Sequence, residues 1–340
     1  MTAGYDIAVE DLTAEAVKAK AEELDIDLVG VADAETVADH PPPGAHEADL
    51  ESLLYGAASI VVVARRTAAG ASSTAWDDRN AHHSTQLGIS ELELAALDLV
   101  YFIEDHGHPS IMVPVQAARS KLYDGMDEGP LSLPHVAVEA GLGTLGLNLQ
   151  LLTPEYGPRV VLGAIVTTAD LEPDGRRTEG LCEGAECGRC LLACPGDAID
   201  HFGMRVEDCR PHAEPWGFDR FLEHAEAVMA ADDVEERQER LQGTDSLMIW
   251  QSMIHGAGVN TGCTNCADVC PVGEDSDRIE AATGEIDEAT AAKRDRLADL
   301  RRAELEGELP PGLDAHERWI GDVPMDYADP DDDLTFAYEG

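Results

Sequence analysis

The eight cysteines constrain this chain more than any other feature. All lie beyond residue 181, in the order Cys182-x4-Cys187-x2-Cys190-x3-Cys194-Pro195, then Cys209 alone, then Cys263-x2-Cys266-x3-Cys270-Pro271. The run C-x2-C-x3-C-P therefore occurs twice. Cysteines used only as small core residues would have no reason to repeat a spacing. The opening MTAGYDIAVEDLTAEAV carries neither a basic stretch nor an apolar one, so no export signal is expected and the expected compartment is cytoplasmic. Disulfides are disfavoured there, and the spacing points to metal.

The repeated run is the latter part of the spacing C-x2-C-x2-C-x3-C-P that holds iron–sulfur cubanes in bacterial ferredoxins. Cysteines three apart on a short loop let thiolates converge on one cubane. The cysteine four further on sits past the turn, before a proline, and serves the other cluster. Each half is completed by one outlying cysteine, Cys182 for the first and Cys209 for the second. Eight thiolates then fill two [4Fe–4S] sites. The crossed assignment gives Cys182, Cys187, Cys190 and Cys270 to one cluster, and Cys194, Cys209, Cys263 and Cys266 to the other. Two four-cysteine zinc sites are the alternative, but zinc does not explain why each C-x2-C pair is followed by x3-C-P.

Charge narrows the function classes. There are 68 acidic residues against 23 basic ones, a formal charge of −45. Such a surface repels phosphate backbones and excludes a general nucleic-acid-coating role. The acidity is spread along the chain, as a solvated face on each helix would be. This pattern resembles proteins of salt-loving organisms, where salt screens the self-repulsion, so a halophilic chain that loses its fold at low ionic strength is expected. No run approaches ~18 consecutive apolar residues, so no membrane span is expected. With 44% apolar residues over 340 positions, there is room for about two domains.

Ahead of the cysteines, residues 11–24 read as an amphipathic helix with acids in its first turn, and 26–32 as a strand. The run SIVVVARR (59–66) is a second, buried strand, and 67–85 a loop over a site. Residues 89–107 have helical periodicity. Residues 110–116 and 159–169 read as further strands, and 135–143 as a helix ending in glycine. Gly141-Leu-Gly-Thr-Leu-Gly146 matches G-x-G-x-x-G. A dinucleotide fingerprint should follow a strand and open a helix, whereas this one follows a helix, so Gly141 is read as a helix C-cap.

Asp127-Glu-Gly-Pro130, Ala140-Gly-Leu-Gly143, Leu145-Gly-Leu-Asn148 and Pro154-Glu-Tyr-Gly157 stand in that order. Together with SIVVVARR, LGAIVTTADLEPD and the lone cysteine of VEDCRPH, they make residues 10–275 resemble the corrinoid-dependent iron–sulfur reductases, epoxyqueuosine reductase and the reductive dehalogenases. The family's pattern is D-x-x-P, A-G-L-G, I-G-K-N, P-E-Y-G. Leu147 stands here in place of its lysine, and the first cysteine gap is x4 rather than x2.

The resemblance implies an α+β fold. Its parts are an α/β sandwich, a nitroreductase-like corrinoid-binding lobe, over 1–175; a ferredoxin-like two-cluster lobe over 176–280; and an acidic helical tail over 281–340. It implies cobalamin as a third cofactor, reduced through the two clusters, and an oxidoreductase that removes oxygen or halide from carbon. It makes Asp127 the proton donor, with Tyr123 and His135 as nearby alternatives. It places Gly141, Gly143, Gly146 and Asn148 against the corrin. The partners expected are a ferredoxin- or flavodoxin-type electron donor and a small-molecule or modified-nucleoside substrate. The acidic surface speaks against tRNA. The competing reading is a ferredoxin-like two-cluster electron-transfer protein without corrinoid.

Overall fold

The computed structural model describes residues 12–43, 50–71, 79–113, 131–259, 262–276, 290–307 and 313–322. Asp127 and Tyr123 lie outside these residues.

The helix Ala14–Glu23 begins where its sequence says it should. Thr13 accepts a hydrogen bond from the Ala16 amide at 3.2 Å, Glu15 sits in the first turn and Lys20 in the last. Val17 and Ala21, four apart, turn one face inwards.

Strands β1 (Leu28–Asp33), β2 (Ser59–Arg66), β3 (Ser110–Val113) and β6 (Val160–Thr167) form a sheet in the order β1-β2-β6-β3. All its neighbouring pairs are antiparallel. Two-residue hairpins β4–β5 (Thr144–Leu145, Leu151–Leu152) and β7–β8 (Ile199–Asp200, Gly203–Met204) lie outside it.

The buried run of β2 reads as it packs. Val61 and Val63 face one core with Val31, Ile165 and the helices Ala14–Glu23 and Arg79–Asp105. Ile60 and Val62 face the other with Ala164, Val166 and the helix Leu133–Glu139. A strand covered on both faces loses the usual apolar–polar alternation. The second core continues without a break through Leu145 and Leu147 to Leu191, Cys194, Ile199 and Phe202, so the sheet and the cysteine loops share one interior.

Three features add to the sequence reading. The long helix starts at Arg79, ten residues before its clear periodicity, and runs 27 residues to Asp105. The segment between Cys209 and Cys263 carries helices Phe218–Met229, Val234–Gln242 and Thr244–His255. Residues 290–307 and 313–322, read as part of an acidic tail, pack onto the body. The helix Ala291–Glu306 covers the first cysteine loop, and Leu313–Ile320 lies on Leu133–Glu139. There Arg318 (2.7 and 3.1 Å) and the Trp319 indole (3.0 Å) donate to the buried Glu139 carboxylate. Among the described residues no helix is long and apolar enough to cross a membrane.

Candidate metal centre and its supports

The first cysteine loop is a single 3-10 turn (Gly184–Glu186) followed by the five-residue helix Arg189–Ala193. Gly188, at φ 56°, makes the left-handed turn between them. Cys182 and Cys187 flank the turn, Cys190 sits on the helix, and Cys194 leaves it in extended conformation. In the second run, Cys266 sits on the short helix Asn265–Asp268, with Cys263 before it and Cys270 after.

Cys182, Cys187, Cys190 and Cys270 line one cavity of about 170 Å³, although Cys270 is remote from the others in sequence. Burial pushes the Cys182 thiol up to about 11 and Cys270 up to about 12, and raises Cys187 and Cys190; proximity of the others adds to three of the four shifts. The second neighbourhood is drawn by the same effect. Burial raises Cys209 and Cys266 and takes Cys263 to about 11. Cys194 then adds to all three shifts. Thiols so held are poor nucleophiles at neutral pH, because the thiolate is the reactive form. They become ligands only if a metal charge offsets the burial. Among the described residues no three His, Cys, Asp or Glu side chains close on the position of a single ion.

Backbone amides already point at sulfur. Leu147 and Gly184 each donate to Cys182 Sγ at 3.4 Å, and Ala198 donates to Cys194 Sγ at 3.3 Å.

The glycine loop packs closely against the hairpin that follows it. Gly141, at φ 77°, follows the end of Leu133–Glu139 as the expected C-cap. A methyl group on Gly143 would stand 1.8 Å from the Leu152 carbonyl across the β4–β5 hairpin, and one on Gly146 would meet Asn148 and Leu152. Gly146 and Asn148 line the cysteine cavity, and the Asn148 side chain hydrogen-bonds Cys266. One side of Gly141 and of Gly143 is thus packed against protein, while Gly146 and Asn148 face the cysteine cavity.

Arg159 was missed in the sequence. It stands at the foot of β6, is 2% exposed, and reaches into the second cysteine loop. It donates to the carbonyls of Ala267 (3.3 Å), Cys270 (2.9 Å) and Val272 (2.8 Å), and pairs with Asp275. Gly157, of the P-E-Y-G run, lets the chains touch there: a methyl group on it would stand 2.0 Å from the Val272 carbonyl. His135 is also described. Its Nδ1 lies 2.7 Å from the Ser132 hydroxyl, and its ring packs on Trp319 and His316.

Comparison with known proteins gives a consistent picture. No protein-family model matches the chain. The tetrachloroethene reductive dehalogenase of Dehalobacter restrictus is 39% identical over 104 residues, 28% of this chain and 18% of that protein. The epoxyqueuosine reductase of Gloeobacter violaceus is 32% identical over 186 residues, 53% of this chain and 50% of that protein. A solved epoxyqueuosine reductase covers 92% of this chain and 78% of its own, at 20% identity and a TM-score of 0.45, too loose a likeness to carry an argument. In sequence the chain is similar to reductases of two named kinds, epoxyqueuosine reductase and reductive dehalogenase, and it spans half or less of the length of these two curated relatives.

Proposed function

We propose that this chain is an oxidoreductase that carries two [4Fe–4S] clusters and passes electrons through them for reductive removal of oxygen or halide from carbon. The observation that carries the reading is the pairing of the cysteines. The four expected from spacing to hold the first cluster line one cavity, Cys270 included. Cys194 adds to the upward shifts of Cys209, Cys263 and Cys266, and Cys266 also adds to that of Cys190, so the two groups of thiols adjoin. Thiols spread around a cavity of about 170 Å³ suit a multi-iron unit better than one zinc ion, whose ligands must all come within ~2.3 Å of a point.

When bound, the clusters supply electrons one at a time. The protein's own residues do the rest. The cysteines hold the metal, and the amides of Leu147, Gly184 and Ala198 solvate sulfur that would otherwise be buried unpaired. Arg159 fixes the second cysteine loop to the sheet. Removing a halide takes two electrons and one proton, and leaves a C–H bond and a halide ion. Opening an epoxide to an alkene takes two electrons and two protons, and leaves water. A ferredoxin- or flavodoxin-type donor supplies the electrons in this reading, and Asp127 supplies a proton to the leaving atom.

Corrinoid enters from the resemblance alone. The second reading is a two-cluster electron carrier without corrinoid. The test is the metal content of chain purified without oxygen, before and after incubation with cobalamin. Cobalt retained with iron, and turnover of an epoxide or halide substrate lost in Asp127→Asn, support the reductase. Iron without cobalt supports the carrier. Zinc in place of iron overturns both.

A further inference from the structure

The helix Ala291–Glu306 holds a buried lysine. Lys293 is 7% exposed, and its ammonium donates to the carbonyls of Leu192 (3.3 Å) and Cys194 (2.5 Å). Buried ammonium groups are ordinarily paired with a carboxylate, since an isolated charge is costly to take out of water. Among the described residues this one meets carbonyl oxygens and no carboxylate. Two described acids on the same seam are engaged by other groups. Asp197 binds Arg296 at 2.8 Å, and the buried Glu304 binds His201 and the Ala185 amide. Arg301 donates to the carbonyls of Ala185 and Glu186, so the helix grips the cysteine loop from Ala185 to Ile199.

We propose that the counter-charge of Lys293 is the cluster held by Cys194, Cys209, Cys263 and Cys266, and that Lys293 is a positioning residue that sets that cluster's reduction potential. The proposal rests on the two-cluster reading. A thiolate-ligated cubane is net negative and gains a further negative charge on reduction, so a buried cation beside its ligand loop favours the reduced state. Net charge and hydrogen bonding near the sulfurs are what tune such potentials. The helix read from sequence as solvated tail would then carry part of the electron-transfer machinery.

The test is an EPR-monitored redox titration of the anaerobic, iron-loaded full chain, comparing wild type with Lys293→Gln, Lys293→Met and Lys293→Arg. Gln keeps a donor for the two carbonyls and removes the charge. The expected result is one of the two cluster midpoints moved to more negative potential in Gln and Met at full iron content, and restored in Arg. Iron lost from both neutral variants but kept by Arg supports the proposal too, because the charge then holds the cluster. Unchanged midpoints in a fully loaded Gln variant overturn it. So does an Arg variant that shifts as far as Gln, or iron lost from all three, which would mark a packing role. A wild-type chain that takes up no iron is instead the failure of the two-cluster reading.

Discussion

The Nη1 of Arg159 donates to the carbonyl oxygen of Cys270 at 2.9 Å, across 111 residues of sequence. One end of that bond belongs to the central sheet, the other to the cysteine that completes the first quartet. Asp275 closes the arrangement by pairing with the same guanidinium. A planar fork that serves three carbonyls and a carboxylate at once cannot be replaced by the point charge of a lysine.

Arg159→Leu should therefore cost about 3–5 kcal/mol, the usual penalty for removing one partner of a buried ion pair. Arg159→Lys should recover little of it. Denaturant unfolding of the iron-free chain measures this directly. A leucine variant as stable as wild type would show that the clamp carries no load.

Gly143, in the glycine loop, and Gly70, outside it, give a matched pair of substitutions. Gly143→Ala would drive a methyl group to 1.8 Å from the Leu152 carbonyl, and backbone there cannot yield without opening β4–β5. Gly70→Ala meets nothing within 4 Å. The first should lower the melting temperature by several degrees, and the second should leave the unfolding free energy within about 0.5 kcal/mol of wild type. Equal effects would contradict the hairpin packing.

His135 makes stability acid-sensitive. Burial, and then the neighbouring His316, depress its pKa from 6.5 to about 4. The folded state thus resists a proton that the unfolded state accepts, so stability falls as pH drops from about 6.5 towards 4. The full loss from this group is about 3 kcal/mol. His135→Gln, which cannot charge, should flatten the curve of melting temperature against pH over that window. A curve of unchanged slope would remove His135 as its cause.

The sequence carried much of this arrangement and withheld the rest for physical reasons. The buried strand Ser59–Arg66 and the left-handed glycine just past the helix Leu133–Glu139 could be read from local patterns, because periodicity and turn chemistry are short-range signals. Arg159 left no such mark. An arginine beside P-E-Y-G looks like any surface cation, and only the fold shows it 2% exposed. Lys293 and Glu304 sit in a run so rich in charge that a solvated helix is the natural reading, yet both are buried against the cysteine loop. Asn148 could be placed in a functional loop, but which ligand it faced depended on a hairpin two residues long on each side.

The formal charge of −45 predicts salt dependence. At ~1 M salt the screening length falls to ~3 Å, against ~10 Å at 0.1 M, so repulsion between neighbouring acids is largely removed. The melting temperature should rise steadily with potassium chloride up to molar concentrations. A flat profile would show that the acids are spaced widely enough to tolerate one another.

The most direct measurement is the iron and acid-labile sulfide content of the anaerobically reconstituted chain, taken together with that of Cys270→Ala. Two cubanes predict about eight of each per wild-type chain and about four in the variant, with the remaining signal that of a [4Fe–4S] cluster. A wild-type chain that binds zinc instead, or a variant that keeps all its iron, would contradict the crossed pair of clusters.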